Sequence, residues 1–254
     1  IHIAYLYGIC VLKGSDLPDG HENKKFKYRV VFQGNRVVDE DWQAAQFEDL
    51  GSSPATMESS RACDLYGCSP GNDIEMADAE QAYVQAELKG VETWICLPPE
   101  ARKDPKWSGY DKPVVRLRLA LYGHPDAGTC WENHCDKHLK SVGFKPVSDI
   151  WSSCYWHAEH KLFLVVYVDD FKLAGPADKI QTGWKIIRSG LGMEPPTKLK
   201  VFLGCDHVVS RCKLKDGTEL TVMKYIMTDF MIQCVDLYKA LCPAARIKPV
   251  DTPF

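Results

Sequence analysis

No apolar run in this 254-residue chain approaches the roughly 18 residues of a membrane-spanning helix. A helical membrane span is not expected, and neither is a membrane partner. The opening Ile1-His2-Ile3-Ala4-Tyr5 has no basic segment before it, so a secretory signal is not expected. The missing initiator Met points to a piece cut from something longer. Eleven cysteines form an odd set with no C-x-x-C spacing, which argues against a disulfide framework and for reduced thiols inside the cell. Cys130, His134, Cys135 and His138 match no common zinc spacing, although a helix would put Cys130, His134 and His138 on one face. There is no excess of positive charge: 31 Lys and Arg stand against 34 Asp and Glu, net −3, which is not the signature of a generic nucleic-acid binder. Local basic stretches remain at Lys24–Arg29, at Arg116 and Arg118, and at Lys198 and Lys200. Each also reads as a solvated face, so they neither establish nor exclude a nucleic-acid groove. Repeats and low-complexity segments are absent. What is present, 45% hydrophobic and 26% charged residues, suits one large globular domain or two small ones with a sizeable core.

The most apolar stretch carries two adjacent acids. Leu162-Phe163-Leu164-Val165-Val166-Tyr167-Val168 leads into Asp169-Asp170, and Phe171-Lys172-Leu173-Ala174 follows. The β-branched and aromatic content predicts a buried strand, a turn and a second strand. An ordinary solvated turn accommodates an Asp. Two adjacent carboxylates repel one another and resist desolvation, and a hard divalent cation such as magnesium would relieve both penalties. A third acid, Asp78, ends the alternating segment Ile74-Glu75-Met76-Ala77-Asp78, and Ala79–Leu88 is predicted as a helix. Asp78 is then either a strand-end ligand facing a cleft or a helix N-cap.

Taken together, these segments resemble reverse transcriptases. Tyr167-Val168-Asp169-Asp170 resembles the Y-x-D-D box, and Asp78 with Tyr83 resembles D-x-x-x-x-[FY]. Lys27-Tyr28-Arg29-Val30-Val31 resembles a K-x-R-[LV]-V fingers segment. Ala120-Leu121-Tyr122-Gly123 with Trp131, then Gly143-Phe144, Phe202-Leu203-Gly204 and Thr252-Pro253, resemble ordered elements of copia-type retrotransposon polymerases. The resemblance covers roughly residues 24–254.

It implies an α+β right hand of fingers and palm with the start of a thumb. An N-terminal flank would span 1–23, interleaved fingers and palm 24–210, and the palm end and start of thumb or connection 211–254. It also implies RNA-directed DNA synthesis by two-metal nucleotidyl transfer from a dNTP to a primer 3′-hydroxyl, with two Mg²⁺ ions or Mn²⁺ in their place. Asp78 and Asp169 would be the main ligands and Asp170 a subsidiary one. Lys27 and Arg29 would hold the triphosphate, with Ala79 and Gly123 also at the substrate. Tyr83 would meet the sugar 2′ position, and Phe202, Leu203 and Gly204 would grip the primer. Without the family, Lys27 and Arg29 read as an exposed basic hairpin, Tyr83 as a core tyrosine, and Phe202-Leu203-Gly204 as a strand stopped by Gly. Expected partners are an RNA or DNA template with primer, dNTP, and the integrase and RNase H of the same polyprotein, in an intracellular, cytoplasmic particle.

Further elements are predicted along the chain. Lys27–Phe32 and Arg36–Val38 flank Gly34-Asn35 as a hairpin, while residues 1–23 show no clear periodicity. Ser53-Pro54 opens a helix to about Cys68, Thr93–Leu97 is a strand, and residues 100–113 form a polar loop. Asp126–Val142 is a helix with Gly143 at its C-terminus. A hairpin spans Cys154–Ala174, helices cover 177–191 and 225–241, and a hairpin turn falls at Lys215-Asp216-Gly217-Thr218.

The sequence departs from copia-type elements after Gly123. His124-Pro125-Asp126-Ala127-Gly128-Thr129 replaces L-K-Q-A-P-R, so Asp126 stands where a glutamine is expected beside the nucleotide. Asp126 is expected to cap its helix instead. Three readings follow: an active polymerase, a non-catalytic retroelement remnant keeping the fold, or an unrelated thiol-rich binding module.

Overall fold

The computed structural model describes residues 1–14, 18–22, 24–47 and 53–244. Thr252-Pro253 lies outside the described residues.

Two sheets organise the molecule. The first contains β1 (His2–Lys13), β2 (Lys25–Phe32), β4 (Thr93–Cys96) and β5 (Val114–Arg116) in the order β2-β1-β4-β5. The second has the order β10-β3-β9-β8-β7-β6 and is antiparallel throughout. Its strands are β3 (Asn72–Asp78), β6 (Phe144–Pro146), β7 (Cys154–His157), β8 (Leu162–Tyr167), β9 (Asp170–Pro176) and β10 (Thr197–Lys198). A smaller sheet, β11 (Val201–Phe202), β12 (Cys205–Lys213) and β13 (Glu219–Ile226), lies beyond it.

Strand alternation sorts the core of the second sheet into two faces. Leu162, Leu164, Val166, Phe171 and Leu173 pack with α2 (Ala127–Ser141) and α3 (Ile180–Ile187), through Trp131, Leu139, Trp184 and Ile187. Phe163, Val165 and Ala174 face α1 (Met57–Gly67), through Cys63. The five residues Leu162–Val166 are all buried. At about 1.5–3 kcal/mol for each such side chain, β8 is a rigid base for the turn that follows it. The expected Gly143 stop holds: α2 ends at Ser141 with Val142 as its C-cap, and Gly143 adopts φ 97°. The turn at 215–218 also holds, with Gly217 at φ 87° and the Thr218 amide bonded to Asp216 Oδ1.

Several expectations are corrected. Residues 2–13 are not aperiodic but form β1, paired with β2 over eight residues and with β4 in parallel. Both faces of this ribbon carry exposed apolar side chains, which hides the alternation. The Gly34-Asn35 hairpin does not form, because β2 takes β1 as its partner. Gly34 instead permits close packing: a Cβ there would come 2.4 Å from the Gly123 carbonyl oxygen. The helix over 79–88 shrinks to a 3₁₀ turn, Ala82–Gln85, after Gln81 at φ 50°. The Ala79 and Glu80 amides go to the Asp169 and Gly192 carbonyls rather than starting a helix. α1 begins at Met57 with Thr56 as N-cap, not at Ser53. The Ala55 amide is tied to Val166 O, and Ser53 O accepts from Ser153, which keeps this stretch out of the helix. Residues 100–113 contain two 3₁₀ turns, Ala101–Lys103 and Pro105–Trp107. The 154–174 hairpin is three strands, and the helix over 177–191 contracts to α3. Tyr225 and Ile226 belong to β13, so α4 is Thr228–Leu241.

Candidate active site

The three aspartates meet at the end of the second sheet. Asp78 is the last residue of β3 and pairs in register with Asp170, the first of β9. Asp169 lies in the β8–β9 turn, and its carbonyl accepts the Ala79 amide at 2.7 Å. The turn is strained: Val168 adopts φ 58°, costly for a β-branched residue. Trp131 of α2 donates its indole N–H to the Val168 carbonyl at 2.7 Å and holds the turn in place. Asp170 is half-buried, and its pKa is pushed up to about 7. Burial contributes most, followed by the charges of Asp169 and Asp78 and a hydrogen bond shared with Asp78.

Asp78 and Asp169 open into a cleft of about 540 Å³ that also reaches Lys27, Arg29 and Tyr122. Two acids from the second sheet thus face two cations from the first. Arg29 lies over the Tyr122 ring, 5.9 Å from its centre. Tyr83 packs edge-on against Tyr122 at 4.7 Å, partly in the core. Burial raises the pKa of both tyrosines, and the nearby charge of Asp169 adds to it. Ala79 is buried at the cleft wall. Gly123, at φ 90°, presses its backbone on β2, where a Cβ would meet the Phe32 carbonyl oxygen at 2.3 Å.

In the Phe202-Leu203-Gly204 element, Phe202 ends the short strand β11 and Gly204 lies in the turn that stops it. Leu203 (φ 51°) and Gly204 (φ 75°) are the central residues of a tight turn, with Phe202 paired to Cys205. Phe202 and Leu203 border a second, largely apolar cavity of about 370 Å³, which also reaches Tyr167 beside the aspartates.

The donor set at the turn is entirely carboxylate oxygen, which fits Mg²⁺ or Mn²⁺. The like charges that leave a proton on Asp170 near neutral pH are the charges a divalent cation would neutralise. Among the described residues, no three His, Cys, Asp or Glu side chains are already drawn into a metal-ligand group, at the aspartates or at Cys130–His138. Cys130 and Cys135 are buried, and His138 Nε2 is bonded to the Ile187 carbonyl at 2.8 Å.

The departure after Gly123 has a packing explanation that the sequence did not suggest. His124 is buried against Phe32 and Phe47. Burial and the neighbouring His2 lower its pKa to about 4. Its Nδ1 accepts the Asp126 amide at 3.1 Å, so the neutral ring carries its proton on Nε2, toward Thr93 Oγ1. Asp126 does occupy the N-cap position of α2, but its side chain makes no capping hydrogen bond. The capping expectation is therefore only half met.

The family model described as Reverse transcriptase (RNA-dependent DNA polymerase) matches residues 13–241. The chain belongs to this family of reverse transcriptase domains. The family is one of nucleotidyltransferases, RNA-directed DNA polymerases that use a divalent metal, a nucleic-acid template with primer, and dNTP. No curated protein matches the chain.

Proposed function

We propose that this chain is the polymerase region of a copia-type retrotransposon polyprotein and that it extends a primer by two-metal nucleotidyl transfer. One observation carries the reading: Asp78 and Asp169, held by adjacent strand ends, share a cleft with Lys27 and Arg29 of the other sheet. In this reading the second sheet is the palm, the first sheet the fingers, and 211–254 the palm end and start of a thumb, with 1–23 an N-terminal flank that adds β1 to the fingers sheet.

Asp78 and Asp169, with Asp170 in support, would hold the two Mg²⁺ ions. When bound, these supply a lowered pKa for the primer hydroxyl and charge stabilisation for the attacking and leaving oxygens. The chain's own groups do the rest. Lys27 and Arg29 neutralise the triphosphate, Arg29 through paired N–H donors, with its plane set by Tyr122. Ala79 forms part of the cleft wall, and Gly123, packed on β2 behind it, sets the neighbouring Tyr122 that does border the cleft. Tyr83, braced by Tyr122, limits room at the sugar 2′ position. The Phe202-Leu203-Gly204 turn positions the primer end. The setting is intracellular, in a cytoplasmic particle, with integrase and RNase H supplied by the same polyprotein.

Primer extension on an RNA template, with and without Mg²⁺, tests the reading. Magnesium-dependent dNTP incorporation is expected, and Tyr83→Val should raise ribonucleotide use relative to deoxyribonucleotide use. A folded chain without incorporation would favour the remnant.

A further inference from the structure

A second charged cluster sits on the same strand as Asp170 and is unused by the chemistry above. Lys172 is fully buried, as is Asp64 of α1. Lys172 Nζ donates to Asp64 Oδ1 at 2.8 Å and to Ser60 Oγ at 2.7 Å, and lies 4.3 Å from the centre of the Phe202 ring. The other Asp64 oxygen accepts from the Tyr225 hydroxyl of β13 at 2.9 Å, with His207 Nε2 of β12 at 3.6 Å. His207 Nδ1 donates to the Cys205 carbonyl, just past the turn. One ion pair therefore touches α1, β9, the Phe202 turn and both long strands of the outer hairpin.

Beyond this cluster, Met223 of β13 packs half-buried on the core under α1, and Arg61 of α1 lies over the Tyr225 ring, 5.5 Å from its centre. None of the hairpin's strands pairs with the six-stranded sheet. Phe202 and His207 are the buried side chains of β11–β13, and both belong to this cluster. Apolar contact alone is non-directional and would let a twisted hairpin slide. A buried ion pair with a hydroxyl bonded to it has a definite direction.

We propose that Asp64 and Lys172 are positioning residues: their ion pair sets the Phe202-Leu203-Gly204 turn at a definite place relative to Asp170, two residues before Lys172. The consequence for catalysis rests on the reading that this turn meets the primer end. The pair then determines where the primer terminus lies relative to the aspartates.

Two variants test this by amide hydrogen exchange and by primer-extension kinetics. Tyr225→Phe removes one bond to the pair without stranding a charge. It should speed exchange of the β12 and β13 amides about fivefold, the worth of one hydrogen bond, and leave those of β3 and β8 unchanged. Lys172→Met/Asp64→Leu replaces the pair by apolar groups and keeps the fold. It should raise exchange in the hairpin about tenfold and the KM for primer–template about tenfold, with the dNTP KM unchanged. Exchange unaltered in the hairpin, or rising equally in β3 and β8, overturns the proposal, as does an unchanged primer KM in an active double variant. If the wild-type chain extends no primer, the polymerase reading fails, and the exchange pattern alone decides whether the pair holds the hairpin.

Discussion

Asp170 and Lys172 occupy the same face of β9, two residues apart, and each meets a carboxylate from a neighbouring element: Asp78 of β3 in one case, Asp64 of α1 in the other. Their electrostatics are opposite. At Asp170, burial and two like charges push the pKa up to about 7. At Asp64, burial also pushes upward, but His207, Lys172 and Tyr225 outweigh it and hold the carboxyl below its usual range. The chain supplies a counter-charge where the job is to hold elements together. Where the aspartates face a cleft, the cations Lys27 and Arg29 come from the other sheet, and the charges acting on Asp170 are those of Asp169 and Asp78. Like charges held together cost stability unless something cationic joins them, which is the expected condition of a site that binds metal.

The sharpest way to break this contrast is to neutralise one acid in each cluster. Asp169→Asn should lower nucleotidyl transfer by at least about 10³-fold, or roughly 4 kcal/mol of barrier, while leaving the melting temperature unchanged or higher. Steady-state extension and calorimetry read the two quantities, and a stable variant with near-normal turnover would remove Asp169 from the chemistry. Lys172→Met should do the reverse to stability. It strands Asp64 in the core and costs about 3–5 kcal/mol, with a Tm lower by roughly 6–20 °C. Adding Asp64→Leu should recover most of that loss. Failure to recover would mean that the pair is a net source of stability and not chiefly a positioning device.

A pH series sharpens the contrast. In the folded state Asp170 keeps a proton that the unfolded chain releases near pH 4. The folded state therefore binds more protons between about pH 4 and pH 7, and stability contributed at Asp170 falls as pH rises through that window. Asp64 has the opposite sign: its contribution is complete above the unfolded carboxyl pKa and is lost as the solution is acidified below it. Denaturation curves from pH 3 to pH 8 should show Asp170→Asn gaining on the wild type as pH rises. Mg²⁺ should stabilise the wild type more at pH 8 than at pH 5.5. Parallel curves for wild type and Asp170→Asn would overturn the account of this site.

The smallest effect is expected at Asp126. Its side chain makes no capping bond, so Asp126→Ala should cost less than the roughly 1 kcal/mol of a lost cap, read by chemical denaturation. Asp126→Asn should leave the dNTP KM within a few-fold, since Asp126 is not among the residues bordering the cleft. A large change in that KM would mean that the carboxylate does face the triphosphate.

Local sequence determined the elements with strong periodicity or turn chemistry. The apolar run before Asp169, the Gly143 stop and the Asp216-Gly217 turn follow from propensities that act over a few residues, so they are legible without partners. The motif order from Lys27 to Phe202 likewise pointed to the reverse transcriptase family. Tertiary structure decided what depends on residues far apart in the chain. β1 has no readable alternation because its solvent-facing and inward sides are both apolar, and only pairing with β2 and β4 defines it. The segment after Asp78 is not a helix because its first amides are claimed by the Asp169 and Gly192 carbonyls, some 90 to 110 residues away. His124, part of the departure after Gly123, is packed against Phe32 and Phe47 beside the first sheet, a role that no local pattern shows. Lys172 and Asp64 are unremarkable in sequence, a charge in a strand and a charge in a helix. Their meaning lies in burial and proximity, because a charge removed from water becomes tolerable only through the partners that three-dimensional packing brings to it.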